Sequence, residues 1–163
     1  MAFAEGTTVP AEKSRLEIEA LVRKDAGCDA EFSSGRMAGQ AAVMFVAKGR
    51  RVRFTVPMPS DTEAAKAAKR KGSWRDATDA QKATWIEQET RRRWRCLLLA
   101  IKATLEIVES GISSFDEAFL AHVVTESGQT IYERIVSMAD NGQRLLPAVE
   151  SQKVVDITTA RAK

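Results

Sequence analysis

Four arginines crowd together at Arg91, Arg92, Arg93 and Arg95 in the stretch ETRRRWRCLLLAIKATLEIVESG, and Lys102 follows two turns on. A guanidinium is a planar fork of donors that meets a phosphate with two parallel hydrogen bonds. On a helix, Arg91, Arg95 and Lys102 share one surface and can grip a phosphate backbone. The same stretch supports a plainer chemistry. Glu87 with Arg91 and Glu89 with Arg93 are i, i+4 pairs in the favourable order, each worth about 0.2–0.5 kcal/mol. Arg92 and Lys102 then merely solvate the outer face.

Two further basic groups precede this run. Arg50, Arg51 and Arg53 lie in GRRVRF, and Lys66, Lys69, Arg70 and Lys71 lie in KAAKRK. A strand face that carries arginine beside methionine can follow a nucleic-acid backbone, although the aromatic residues of a stacking platform are missing. The competing reading is an ordinary solvated strand face for the first group and a solvated loop for the second.

Catalysis finds little support. His122, the chain's single histidine, stands in an apolar run without a Ser, Cys or Asp companion at a motif spacing, which suits a half-buried, satisfied ring. Asp116 and Glu117 fit the first turn of a helix, where the dipole favours carboxylates. Cys96 beside Arg95 could be an activated thiol, but a packed helix position suits it better. Gly-rich phosphate loops, HExxH and GxSxG are absent from the sequence. Cys28 and Cys96 are far apart and form no CxxC, so neither a metal site nor a cofactor is expected, and both read as reduced thiols of a cytosolic protein.

The composition permits one domain with its own core. The chain has 163 residues, 44% of them hydrophobic and 29% charged, and a net charge of +3. So modest an excess means that any nucleic-acid surface must come from local clustering. MAFAEGTTVP lacks the basic start and apolar centre of a signal peptide, and no run approaches the ~18 apolar residues of a membrane span. A cytoplasmic protein without membrane contact is the expectation.

The elements that must position these residues follow from period and punctuation. Pro10 opens a helix over 11–26, with Leu16, Ile18, Leu21 and Val22 as its stripe and Gly27 as its stop. AAVMFVAKGRRVRFTVP then alternates. A Lys48-Gly49 turn pairs Val46 with Arg51, Phe45 with Val52 and Met44 with Arg53, which puts Val43, Phe45, Val52, Phe54 and Val56 on one face. Arg51, Arg53 and Thr55 share the other with Met44 and Val46. Residues 30–33 could add a short edge strand. Residues 58–78, polar and bounded by prolines, read as a mobile basic connection.

Thr78 with Gln81 is a capping box that starts a helix over 79–109, stopped by Gly111. Trp94, Leu97, Leu98, Ile101, Leu105 and Val108 form its stripe. At ~1.5 Å per residue it spans roughly 46 Å, so it either kinks or projects. Ser114 with Glu117 repeats the box before FDEAFLAHVV, and Ile131, Ile135 and Met138 mark a last short helix. Residues 1–146 thus form a single α+β domain: helix, antiparallel hairpin or three-stranded sheet, long helix, short helices. Residues 147–163 read as a loose tail. The α-β-β-β-α order is similar to that of double-stranded-RNA-binding modules in topology alone.

The blocks FAEGTTV, GRRVRFTVPMP, RRRWRCLLLAIKATLEIVESGISSFDEAFLAHVV and GQTIYERI together resemble a family of small proteins of tailed bacteriophages and prophages. The resemblance spans roughly residues 3–135, skips the basic connection and transfers no catalytic residue. It implies a gene carried among early replication and recombination functions. The expectation is a non-catalytic accessory protein that binds nucleic acid, DNA foremost. Its contacts would be Arg50, Arg51, Arg53, Lys66, Lys69, Arg70, Lys71, Arg91, Arg95 and Lys102. The alternatives are a module that inhibits or redirects a host protein, and a subunit of a structural homo-oligomer.

Overall fold

The computed structural model describes residues 4, 6–26, 33–37, 39–70 and 78–141, for 25–26, 33–37 and 69–70 the backbone alone. Helix α1 covers Ala11–Ala26. Its inward row is Ser14, Ile18 and Val22, all at most 1% exposed, spaced by four residues as one face of a helix requires. Leu16, expected in that stripe, is 64% exposed. Two residues from Ser14 and from Ile18, it lies about 200° around the helix, on the far side.

Strands β1 (Ser33–Met37), β2 (Gln40–Ala47) and β3 (Arg50–Pro57) form an antiparallel sheet in the order β1-β2-β3. The expected pairing holds: Val43 faces Phe54, Phe45 faces Val52, Met44 faces Arg53 and Val46 faces Arg51. Lys48 and Gly49 both take positive φ, 51° and 73°, the backbone of a tight hairpin turn whose twist matches its strands. Val43, Phe45, Val52, Phe54 and Val56 are buried together. The edge strand lies at Ser33–Met37 rather than over 30–33, and residues 30–32 fall outside the described set.

The segment expected as a mobile connection contains a helix, α2, over Asp61–Arg70. Ser60 and Glu63 build its capping box: the Glu63 N–H donates to Ser60 Oγ (3.3 Å) and the Ser60 N–H to Glu63 Oε2 (3.1 Å). Four alanines and two lysines of good helix propensity continue it, and Ala64, 2% exposed, seats it. Residues 71–77 and the tail at 147–163 lie outside the described residues.

Helix α3 runs unbroken over Asp79–Glu109 with the Thr78–Gln81 capping box in place. At its end Gly111 (φ 73°) donates to the Val108 carbonyl and Ile112 to that of Ile107, a Schellman stop. Its buried residues are Trp94, at the midpoint, and Leu98 and Ile101 in the second half. The first half is flanked by α2 and by the N-terminal segment, where Gln88 donates to the Thr7 carbonyl. Leu105 and Val108 pack at the core's margin.

Helix α4 (Phe115–Phe119) starts at the Ser114–Glu117 box and sends Phe119 into the core. There its ring meets Phe45 and Phe54 edge-on, each at 6.2 Å. A 3₁₀ turn over Leu120–His122 leads to Val123, which bridges to Val52 on the open edge of β3. Helix α5 (Ile131–Asp140) follows, capped by Thr130 and Glu133, with no buried residue. Among the described residues no helix is long and apolar enough to cross a membrane.

Candidate nucleic-acid interface

The arginines of α3 are engaged by the protein's own carboxylates. Arg91 pairs with Glu87 one turn back, and Arg92 and Arg93 both reach Glu89. Arg93, whose side chain is 18% exposed, also donates to the Pro57 carbonyl (2.6 Å) and to both oxygens of Glu63 (3.2 Å). One guanidinium thus ties α3 to the end of β3 and to α2. Arg95 spans to Glu17 on α1 at 2.7 Å. Hydrogen bonds from Arg92, then Arg93, hold the Glu89 carboxyl below its ordinary range against the opposing effect of burial. Glu63 is held low by the Ser60 N–H and by Arg93. These are the bonds of a structural clamp.

The hairpin arginines divide. Arg50 sets Nε and Nη2 on the two oxygens of Asp116, at 3.0 and 3.1 Å, a fork between β3 and the first turn of α4. That fork lowers the Asp116 pKa. Arg53 donates to the Gly128 carbonyl (3.0 Å) and to Glu133, the carboxylate that caps α5 through the Thr130 N–H (2.8 Å). It therefore fastens the C-terminal segment to the sheet's outer face. Arg51 is exposed and makes no ion pair among the described residues. Only its backbone is engaged, accepting from the Val124 N–H at 2.8 Å.

Lys102 on α3 and Lys66 on α2 are exposed and unpaired among the described residues. Lys69 and Arg70 belong to α2, and their side chains, with Lys71, lie outside the described residues. Among the described residues, the expected contacts do not all share one face. Trp94, Leu98 and Ile101 lay α3 on the core face of the sheet, whereas Arg51 and Arg53 point from the opposite face, so the sheet stands between Lys102 and Arg51.

Exposed cations surround the hairpin tip: Lys48 in the turn, Arg50 on the core side of β3 beside Asp116, and Arg51 on its outer side. Lys48 and Lys24, the latter from the last turn of α1, line one cavity beneath the tip. Neither lysine was among the expected contacts. The Lys-Gly turn already signals exposure at position 48, but nothing in the sequence brings position 24 to it.

His122 lies with its ring 4.0 Å from Phe54, tilted by 30°. Burial lowers its pKa, against a smaller upward pull from a hydrogen bond with the Arg53 backbone, which agrees with a satisfied neutral imidazole. Cys96 is a half-buried thiol on α3. No group of three or more His, Cys, Asp or Glu among the described residues could hold a metal ion. Compared with protein families, curated proteins and solved structures, the chain matches none.

Proposed function

We propose that this is a non-catalytic accessory protein of phage type that binds nucleic acid, DNA foremost, in the host cytoplasm during replication or recombination. Its contact is the tip of the β2–β3 hairpin, through Lys48, Arg50 and Arg51, and not the arginine run of α3. The observation that carries this reading is the contrast in engagement. Arg93 and Arg95 are used up in holding helices together, whereas Arg51 and Lys48 are exposed and have no carboxylate partner among the described residues. Arg50 is held only by an exposed pair, which a phosphate can displace because exposed ion pairs gain little over water. A hairpin of this width enters a major groove or follows a single strand.

The test is a gel-shift panel of single- and double-stranded DNA and RNA at several salt concentrations. Three phosphate contacts give a slope of log affinity against log salt near about −2.7 on duplex, or about −2.1 on single strands. Wild-type protein that binds none of the four at low salt ends this reading.

A second reading, a module that captures or redirects a host protein, is favoured by α5. That helix exposes Tyr132, Ile135 and Val136 by 62%, 44% and 38%, beside Leu120 at 51%. Apolar residues gathered on one short helix mark a contact surface for protein more than for phosphate. Binding of that kind depends on salt far less.

A further inference from the structure

We propose that the cavity beneath the hairpin tip binds an amphipathic monocarboxylate, its apolar body inside and its carboxylate at Lys24 and Lys48. The cavity measures about 400 Å³, within the ~300–1,000 Å³ typical of small-molecule sites. Its floor is Val22, Phe45 and Ala47, each at most 4% exposed. Its wall is made by Val108 of α3 and Phe115 of α4. These elements are fixed independently: Phe115 stacks on Phe119 at 4.6 Å, and the Schellman stop pins the end of α3 at Val108. The space is therefore held open by the fold.

The chemistry of the lining selects the ligand. Among the described residues, no hydroxyl, amide or imidazole side chain lines the cavity. The floor and wall side chains offer no donor or acceptor, so a hydrocarbon body seats against them without leaving polar edges unmet there. The mouth is different: among the described residues Lys24, Lys48 and Glu109 are exposed there, two cations to one carboxylate, and none of the three is in an ion pair among them. Lysine heads on flexible stems suit a small anion at a wet rim. Lys48 moreover holds a left-handed φ of 51°, which a lysine adopts less readily than Asn or Gly. The turn thus carries a cation at a position that favours residues without one.

This inference stands apart from the nucleic-acid reading except that Lys48 serves both. Its test accordingly uses no nucleic acid. Decanoate, decanol and decyltrimethylammonium would each be titrated below micelle formation into the full-length protein, with amide chemical shifts as readout. Decanoate is expected to shift Val22, Phe45, Ala47 and Val108 and to bind about tenfold tighter than decanol, the gap expected of a carboxylate met by two cations. Lys24→Met with Lys48→Met should close that gap and leave decanol binding unchanged. Val108→Trp, which fills the space, should abolish binding of both. Equal affinity for the three amphiphiles, shifts centred on other residues, or no binding to wild-type protein would each overturn the proposal. Should Val108→Trp disturb the fold, the lysine variants and the map of shifted amides still decide.

Discussion

The arginine run of α3 and the tip of the hairpin carry the same residue type under opposite conditions. In α3 a glutamate lies three or four residues before most of the arginines, and α1, α2 and β3 close around them. Arg93 alone meets Glu89, Glu63 and the Pro57 carbonyl. At the tip, the Arg51 side chain is in no ion pair among the described residues, and Arg50 meets one carboxylate in open solvent. A dense basic run on a helix can therefore be internal mortar, while a sparser pair on a turn is what remains for a ligand. What separates them is the supply of carboxylates within reach, not the number of cations.

The sharpest way to break this contrast is through the other face of α3. Ile101, fully buried, holds the helix on the sheet, and Ile101→Ala should cost about 2–5 kcal/mol in chemical denaturation. An unchanged midpoint would mean that the helix is held by its arginines instead of by its apolar stripe. Next in size is Arg93→Ala. It removes the bonds to Glu63 and the Pro57 carbonyl and leaves Glu89 to Arg92 alone, and should cost on the order of 1 kcal/mol, with nucleic-acid affinity unmoved. A loss of affinity at full stability would return Arg93 to the binding surface.

Acid should erode the clamp while sparing the core. Glu89 and Glu63 are held below their ordinary range in the fold, so the unfolded chain binds protons first as pH falls. Their contribution is whole above the unfolded carboxylate range, about pH 4.3, and is lost as pH drops through the folded values. A plot of denaturation midpoint against pH should fall there, and less steeply for Glu89→Gln. The smallest effect belongs to His122. Its folded pKa is also depressed, so its contribution is complete above about pH 6.5 and declines below it. His122→Phe, which keeps a ring against Phe54, should flatten that part of the curve. An unchanged slope would show that the imidazole titrates as freely in the fold as in the unfolded chain.

Much of this architecture was legible because local signals agreed. The alternation around Lys48-Gly49 sets the register of β2 and β3, since a slip by one residue would turn Phe45 and Phe54 into solvent. The Thr78–Gln81 and Ser114–Glu117 boxes mark the starts of α3 and α4. Helix α2 opens with the same kind of box, Ser60–Glu63, but it lacks an apolar stripe and buries little more than Ala64, so its lysines read as a loop. The candidate site was less legible for a different reason. Arg50 finds Asp116 across 66 residues and Arg53 finds Glu133 across 80, and no local pattern announces a partner so far along the chain. Composition can count charges, but only the fold pairs them.

The contrast between tip and run is tested most directly by fluorescence anisotropy of labelled DNA against three proteins across a salt series. These are the wild type, Lys48→Glu with Arg51→Glu, and Arg91→Gln with Arg95→Gln. The hairpin pair should lose at least about tenfold in affinity at low salt, because each lost phosphate contact also removes about one released counterion from the slope. The helix pair should bind as the wild type does, with the same slope and a lower melting temperature. A helix pair that loses binding while the hairpin pair keeps it would contradict the account, and would put the phosphate back on α3.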